Sequence, residues 1–187
     1  MRSISSLPVS RRWLTAAVAS AGLLGVALAS AAPAPAASIY YEWESEKSAL
    51  NLVMTARGTA PNSKVGVATD NDNSMALWKA TNNGDNYWSY KLRASEHLAT
   101  PVCLDVENDS QAQGAAIVVR PCDGSPSQNW TELGGSGHTS RLYNQWSNRS
   151  IQQPSGPEFL VNLRQTTLSE SGEPTHNLQW TWRSVKL

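Results

Sequence analysis

The sequence predicts an all-β fold built from three copies of one unit. Tryptophan recurs at nearly even intervals, since Trp78 lies 52 positions before Trp130 and Trp180 lies 50 positions after it. The segments between them contain short apolar runs broken by Gly, Pro, Asn and Asp, and none has the apolar period of a helix. Short strands in three copies favour a closed barrel over an alternating α/β sheet.

The first element in chain order is a cleaved secretion signal at residues 1–31. It has an arginine-containing start, an apolar run over residues 14–28 and small residues suited to cleavage near Ala31. The apolar run is short for a membrane span, so we expect a secreted protein without membrane insertion. Removing the signal takes three of the 15 basic residues and none of the 15 acidic ones. The resulting net charge of −3 disfavours nucleic acid as a partner.

The second element, residues 32–48, is predicted as an extended N-terminal arm. Aromatic and acidic residues are interleaved in it, so an extended chain would be apolar on one side and negative on the other. Two interpretations stay open: a first strand of the barrel, or a docking arm for a partner protein. We expect the end nearest residue 37 to be free and the end nearest residue 49 to be folded. The residues assigned to partner binding are Tyr40, Tyr41, Glu42, Trp43 and Glu44.

The remaining residues, 49–187, divide into repeats at about 49–80, 81–132 and 133–187. Each repeat has a polar residue, an apolar pair and a closing tryptophan. These are Asn51, Asp105 and Gln152 for the polar residue; Val65 and Val67, Ile117 and Val119, and Phe159 and Val161 for the pair; and Trp78, Trp130 and Trp180 at the close. We expect the closing tryptophans in the core, because a buried indole contributes more area than any other side chain.

The middle repeat contains a strand-turn-strand unit. Residues 104–107 alternate between apolar and polar, residues 108–114 are rich in turn formers, and residues 116–120 are a second apolar strand. Cys103 and Cys122 lie at the ends of this unit, where adjacent strands would bring them together. Two cysteines in an exported protein predict one disulfide.

This repeat resembles those of the ricin B-type lectins, a β-trefoil family whose repeats run Cys-Leu-Asp-Val, a Gly, an apolar pair, a second Cys and a closing Gln-x-Trp. The matching residues are Cys103, Leu104, Asp105, Val106, Gly114, Ile117, Val119, Cys122, Gln128 and Trp130. The resemblance implies a three-fold β-trefoil, in which three hairpins cap a six-stranded barrel, and it implies a core role for the closing tryptophan.

The resemblance also implies where a sugar would bind. The family combines the strand Asp, an aromatic residue two positions before the second Cys, and an Asn just before the Gln-x-Trp; the polar groups bind sugar hydroxyls and the ring stacks on the pyranose. This chain has Asp105, Arg120 and Ser127 there, followed by Gln128. The middle repeat keeps one of the three groups and the outer repeats keep none. Asp105 could instead pair locally with turn amides or with Arg120.

Two functions remain after this comparison. The lapsed sugar groups favour a protein-binding adaptor whose partners are other secreted subunits; the alternative is a lectin that binds an extracellular glycan through Asp105. In size, secretion and role the chain is similar to small adaptors of actinobacterial antagonistic particles such as the umbrella toxins. The histidines stand alone, and the sequence has no metal-ligand spacing and no singled-out carboxylate pair. We therefore predict no enzyme activity, no metal and no cofactor.

Overall fold

The computed structural model describes residues 37–46, 50–70, 73–134, 139–153, 161–167 and 178–187. The predicted secretion signal lies outside these residues. The strands are β1 (Ile39–Ser45), β2 (Leu52–Ala56), β3 (Ser63–Thr69), β4 (Trp78–Gly84), β5 (Tyr87–Leu92), β6 (Val102–Val106), β7 (Ile117–Pro121), β8 (Trp130–Leu133), β9 (Thr139–Asn144), β10 (Ser150–Gln152), β11 (Arg164–Thr166) and β12 (Trp180–Lys186). Single 3-10 turns occur at Arg93–Ser95, Glu107–Asp109 and Pro126–Gln128. Within the described ranges, no helix has the length and apolar character that a membrane crossing requires.

Six of the strands form a closed barrel. β1 pairs with β4, β4 with β5, β5 with β8, β8 with β9, β9 with β12, and β12 with β1, all antiparallel. The other six strands form three hairpins, β2–β3, β6–β7 and β10–β11. A closed ring of strands leaves its barrel strands without an unpaired edge. The arrangement is a β-trefoil, which confirms the predicted all-β fold class.

The three closing tryptophans occupy equivalent positions in the barrel. Along the strand pairs that link the two ends of each repeat, Tyr41 lies opposite Trp78, Trp88 opposite Trp130, and Ser140 opposite Trp180. Each indole is fully buried, and its Nε1 donates to a hairpin carbonyl. The acceptors are Met54 at 3.2 Å for Trp78, Leu104 at 3.1 Å for Trp130 and Ile151 at 3.5 Å for Trp180. This is the core role expected for them, with the indole N–H satisfied as burial requires.

The hairpins meet through a second set of equivalent residues. Val65, Ile117 and Leu163 are each fully buried and belong to one core cluster with the closing tryptophans. The Leu163 amide donates to the Val65 carbonyl at 2.8 Å, and the Ile117 amide donates to the Leu163 carbonyl at 3.0 Å. Apolar packing and backbone hydrogen bonds together join the hairpins into one cap.

The strand registers correct the residue equivalences that we predicted for the outer repeats. Thr55 follows the carbonyl that accepts from Trp78, so Thr55 and not Asn51 corresponds to Asp105. Asn51 lies before β2 in a left-handed conformation with φ of 50°. The spacing misled us because the turns between a hairpin strand and its closing tryptophan differ in length among the repeats.

The third repeat needs a similar correction in its second hairpin strand. Gln165 lies opposite Ile151, as Val119 lies opposite Leu104. The pair equivalent to Ile117 and Val119 is therefore Leu163 and Gln165, four positions after the predicted pair. Of that predicted pair, Phe159 lies outside the described residues.

The predicted docking arm is a barrel strand over Ile39–Ser45. All seven of its residues are in register with β12, from Ile39 opposite Lys186 to Ser45 opposite Trp180. The first repeat therefore begins ten positions earlier than the predicted boundary at residue 49. A free arm over these residues is wrong, because the barrel closes only when β1 fills the gap between β12 and β4.

The side chains of β1 are mostly turned into the protein. Tyr40 and Glu42 are buried, and Trp43 is 1% exposed, whereas Tyr41 and Glu44 are half-buried. Tyr40 donates to Glu96 at 2.6 Å. These contacts leave little of the predicted partner-binding surface accessible.

The buried carboxylate of Glu42 has its own partner in the barrel. Arg183, opposite it on β12, donates to Glu42 Oε2 from Nε at 3.2 Å and from Nη2 at 3.0 Å. Arg183 also pairs with Asp70. Burial raises the pKa of Glu42, and the bonds from Arg183 oppose that rise. The acidic character of this stretch is thus partly neutralised within the barrel.

Replacing Trp43 with alanine tests whether β1 is part of the core. We expect Trp43→Ala to lower the free energy of unfolding by about 3–5 kcal/mol, because it removes a large buried side chain and leaves a cavity. Ile39→Ala is the matched control on the same strand, where Ile39 is 46% exposed; its cost should be about 0.5 kcal/mol or less. Urea denaturation measures both, and equal mild effects would contradict the assignment.

Candidate functional site

The middle repeat holds the candidate site at the base of its hairpin, β6–β7. Cys103 lies opposite Arg120 in this hairpin, and its disulfide to Cys122 joins Cα atoms that are 5.0 Å apart. The predicted disulfide is thereby confirmed. Its cysteines are 19 positions apart in the sequence, so the disulfide stabilises the fold by roughly 3 kcal/mol on the loop-entropy account. It also fixes the end of β7, from which Arg120 extends.

Asp105 lies in the interior of the middle repeat and not on its surface. Its side chain is fully buried; Oδ1 accepts from the Val106 amide at 2.6 Å, and Oδ2 accepts from Gln128 Nε2 at 2.9 Å. Gln128 also donates to the Pro121 carbonyl at 2.7 Å and accepts from the Asp123 amide at 3.1 Å. This pair of side chains ties the hairpin to the turn before Trp130, which matches the local pairing considered above as the alternative to sugar binding.

Burial dominates the electrostatics of Asp105. Removal from water raises the pKa of Asp105, and the hydrogen bond from Gln128 and the charge of Arg120 only partly offset that rise. Arg120 Nη1 is 3.7 Å from Asp105 Oδ2. A ligand hydroxyl has no route to this carboxylate while Gln128 and Arg120 cover it.

A second carboxylate, Asp109, takes the exposed position that Asp105 lacks. Its side chain is 49% exposed, and Oδ1 accepts from Arg120 Nη1 at 2.6 Å and from the Ser127 hydroxyl at 2.8 Å. Asp109 and the preceding Asn108 both have positive φ, 52° and 54°, in the turn after β6. This turn brings the carboxylate over Arg120 and Ser127. No sequence pattern predicts this role for Asp109, because residues 108–114 have only a turn composition.

Trp146 supplies an aromatic ring to the same place from the third repeat. It lies in the turn between β9 and β10, is 43% exposed, and donates from Nε1 to the Asp109 carbonyl at 2.7 Å. Trp146 borders a cavity of about 250 Å³, together with Asp109, Ser125, Pro126 and Ser127. The sequence does not predict a place for Trp146 in this site, because nothing in its local sequence connects it to the middle repeat.

The predicted site residues are therefore only partly brought together. Arg120 and Ser127 lie at the cavity or beside it, whereas Asp105 and Gln128 form the buried support below. The outer repeats have no counterpart of the carboxylate, since Thr55 and Gln152 occupy the position of Asp105. In both outer repeats, an apolar residue occupies the position of Gln128. Those apolar residues are Ala76 and Leu178.

Comparison with known proteins finds one matching family model, over the first two repeats. Residues 41–130 match the model of the ricin-type beta-trefoil lectin domain. This stretch is similar to the ricin-type β-trefoil lectin domain. The match begins inside β1 and ends at the closing tryptophan of the middle repeat, so it includes most of the strand that the sequence analysis predicts as an arm. No curated protein sequence matches the chain.

Several solved structures share this β-trefoil fold at low sequence identity. The designed three-fold symmetric protein ThreeFoil has a TM-score of 0.66 at 20% identity, over 76% of this chain and 96% of its own. The exo-β-1,3-galactanase 1,3Gal43A from Clostridium thermocellum has a TM-score of 0.67 at 15% identity. The match covers 78% of this chain and 30% of the galactanase chain. The Polyporus squamosus lectin, bound to a human-type influenza-binding epitope, has a TM-score of 0.60 at 15% identity. The match covers 78% of this chain and 48% of the lectin chain. The fold thus occurs in lectins and within a longer enzyme chain.

The trefoil also offers little to a metal ion. Among the residues that the structure describes, no group of three or more His, Cys, Asp or Glu side chains is arranged to bind one. The polar groups of the middle repeat instead form hydrogen bonds and ion pairs with one another. Such a surface is suited to binding hydroxyl groups.

The buried acid gives the stability of the trefoil a predictable pH dependence. Because the folded-state pKa of Asp105 is raised, its contribution to stability is fully present below the unfolded pKa of about 3.9 and is lost as pH rises through the folded pKa. The unfolding free energy of the wild type relative to Asp105→Asn should therefore fall as pH rises. Denaturant titrations at successive pH values measure this difference.

Asp123 serves as a control of opposite sign. Burial acts to raise its pKa, but the Ser125 amide, which donates at 2.9 Å, and other bonds lower the pKa of Asp123 overall. The unfolding free energy of the wild type relative to Asp123→Asn should therefore fall as the pH falls through the lowered pKa of Asp123. If both differences in unfolding free energy changed in the same direction with pH, the argument that burial raises the pKa of Asp105 would be contradicted.

Proposed function

We propose that the protein is a secreted, non-catalytic carbohydrate-binding module whose site is the Asp109–Trp146 cavity of the middle repeat. The observation that carries this proposal is the position of Trp146. An indole from the neighbouring repeat lies beside an exposed carboxylate, a guanidinium and two hydroxyls. The site thereby offers the kinds of group that the family's sugar sites use, from different positions in the chain.

Each group has a defined role toward a sugar. The Asp109 carboxylate accepts from adjacent hydroxyls, Arg120 donates to a hydroxyl or ring oxygen, and the Trp146 ring stacks on the apolar face of the pyranose. Asp109 is already oriented by Arg120 and Ser127. A preorganised carboxylate does not lose further side-chain freedom when the sugar binds.

The dimensions indicate a small ligand. The cavity of about 250 Å³ lies just below the range of about 300–1,000 Å³ that is usual for drug-sized ligands. One sugar residue, at the end or branch of a longer glycan, is suited to that space. With one such cavity supported by the geometry, we expect weak binding to single glycans and stronger binding to surfaces that display many.

Export is the setting that these features support. Residues 1–31 have the composition of a secretion signal, and the Cys103–Cys122 disulfide is of the kind that persists in oxidising compartments. An extracellular glycan is the partner class that this setting supplies.

Changing Trp146 tests the proposal directly. We expect Trp146→Ala to weaken glycan binding at least about tenfold, because it removes the stacking ring. Asp109→Asn should also weaken binding, by removing the charged acceptor. A glycan array identifies the ligand, and titration calorimetry with that ligand measures the affinities.

The matched control is Leu50→Ala, another exposed apolar side chain, 47% exposed, outside the cavity. It should leave binding unchanged, and all three variants should keep the wild-type melting temperature within a few degrees. Undiminished glycan binding in Trp146→Ala would refute this site. A blank array with folded wild-type protein would refute the function.

A protein adaptor is the second candidate, and an exposed apolar pair at the strand ends favours it. Ile39 at the start of β1 is 46% exposed and Leu187 after β12 is 53% exposed. They are neighbours, because Ser38 and Leu187 exchange backbone hydrogen bonds of 3.2 Å. A partner that covers this pair would be another secreted subunit, as in a bacterial toxin particle.

The adaptor is tested by purification from the native culture medium. We expect a stoichiometric partner chain with the wild type and its loss in the double variant Ile39→Ser/Leu187→Ser, because the exposed apolar contact is removed. Trp146→Ala should retain the partner. Recovery of the trefoil alone, or equal capture by the double variant, would reject the adaptor.

A further inference from the structure

The end of the barrel away from the hairpins has an unusual layer of side chains. Each barrel strand contributes one residue to the buried core layer. Because side chains alternate along a strand, a residue two positions away lies on the same side of the strand as that core residue. These six residues are Tyr41, Ala80, Trp88, Glu132, Ser140 and Trp182. We call this layer the barrel mouth. It contains three aromatic rings, two small residues and one acid.

A cavity of about 520 Å³ opens into the barrel mouth. Ala80, which borders this cavity, has a small side chain two positions after the large Trp78 of the core layer, and this leaves room among the rings. Tyr90, 2% exposed, borders the cavity and contacts Trp43 of the core, with ring centroids 5.6 Å apart. The volume lies within the range of about 300–1,000 Å³ typical of small-molecule sites.

Aromatic rings border this cavity from several strands. Tyr41 on β1 and Trp182 on β12 meet edge to face, with centroids 5.5 Å apart and an interplanar angle of 66°. Trp88 on β5 is half-buried, as are both of these residues. The face of an aromatic ring carries negative potential, so inclined rings around a cavity favour a positively charged group.

Glu132 adds a full negative charge to the same cavity. Its Oε1 accepts from the Tyr90 hydroxyl and its Oε2 from the Ser140 hydroxyl, both at 3.3 Å. Across the described ranges, no ion pair includes this carboxylate. Glu42, also on a barrel strand, contrasts with it, because Arg183 neutralises Glu42 at 3.0 Å.

We propose that the barrel mouth binds an organic cation, with a quaternary ammonium group held between Glu132 and the surrounding rings. A quaternary ammonium is weakly hydrated and donates no hydrogen bonds, so ring faces and one carboxylate suffice to bind it. The cavity is large enough for this head group and the chain that carries it. The site is separate from the Asp109–Trp146 cavity and does not depend on the function proposed there.

Two other ligand classes suit the barrel mouth less well. An anion would face Glu132 without a nearby cation among the residues that border the cavity. A neutral sugar favours a flat stacking platform with several donors, whereas the Tyr41 and Trp182 rings are inclined to each other. Charge and ring geometry therefore favour the cation.

The experiment compares choline with 3,3-dimethyl-1-butanol, its uncharged isostere, by titration calorimetry on the folded protein. We expect saturable choline binding and at least about tenfold weaker binding of the isostere, because the rings and Glu132 act on the charge. Glu132→Gln should weaken choline binding about tenfold. Glu107→Gln, which removes a carboxylate paired with Lys64 on a hairpin, should leave it unchanged.

Trp182→Ala gives a second test through the rings and should also weaken choline binding, while Trp146→Ala should retain it. Melting curves establish that each variant is folded before titration. Equal binding of choline and its isostere, no saturable choline binding by the wild type, or undiminished binding in Glu132→Gln would each overturn the proposal. Loss of glycan binding in Trp146→Ala with choline binding intact would show that the two sites are independent.

Discussion

The antiparallel pairing of β1 with β12 is the constraint on which the rest of the structure depends. Seven residue pairs join the first described strand to the last, and they close the ring between β12 and β4. Without that closure the core tryptophans would face an open sheet with unpaired edges. With it, Trp43 completes a buried layer with Tyr90 and Leu142, one residue from each repeat. The aromatic and acidic residues of β1 thus follow from the needs of a closing strand.

The three repeats preserve the core and differ on the outside. Each closing indole bonds a hairpin carbonyl, yet the residue after that carbonyl is Thr55, Asp105 or Gln152. The core tolerates this variation because the polar groups at this position find hydrogen-bond partners locally. Gln128, for example, donates to the buried Asp105 carboxylate. Functional groups are free to change around a fixed scaffold, so similarity to a lectin family does not by itself locate a binding site.

The fold could be predicted from the sequence because its signal repeats. Tryptophan spacing and strand-turn composition are local patterns, and three copies reinforce one another. The first strand was misassigned although the predicted repeat at 49–80 is much shorter than 81–132 and 133–187, a difference that indicates a missing strand. Alternation alone could not decide between a free arm and a strand, because both are extended.

The candidate site was harder to predict for a physical reason. Its ring comes from Trp146 and its exposed carboxylate from Asp109. These two turn residues are 37 positions apart and meet only in the folded trefoil, where the Trp146 indole donates to the Asp109 carbonyl. Position in a family motif pointed instead to Asp105, which the fold buries. The barrel mouth is similar, since its residues come from strands in all three repeats and share no sequence motif.

The pairing of the outermost strands also determines the order of events during folding. Glu42 and Arg183 are 141 positions apart, so their ion pair forms only after a very large loop closes. Hairpins within each repeat can assemble early, while the ring stays open until β12 pairs with β1. The pairing that connects the most distant parts of the trefoil is therefore one of the latest steps of its folding.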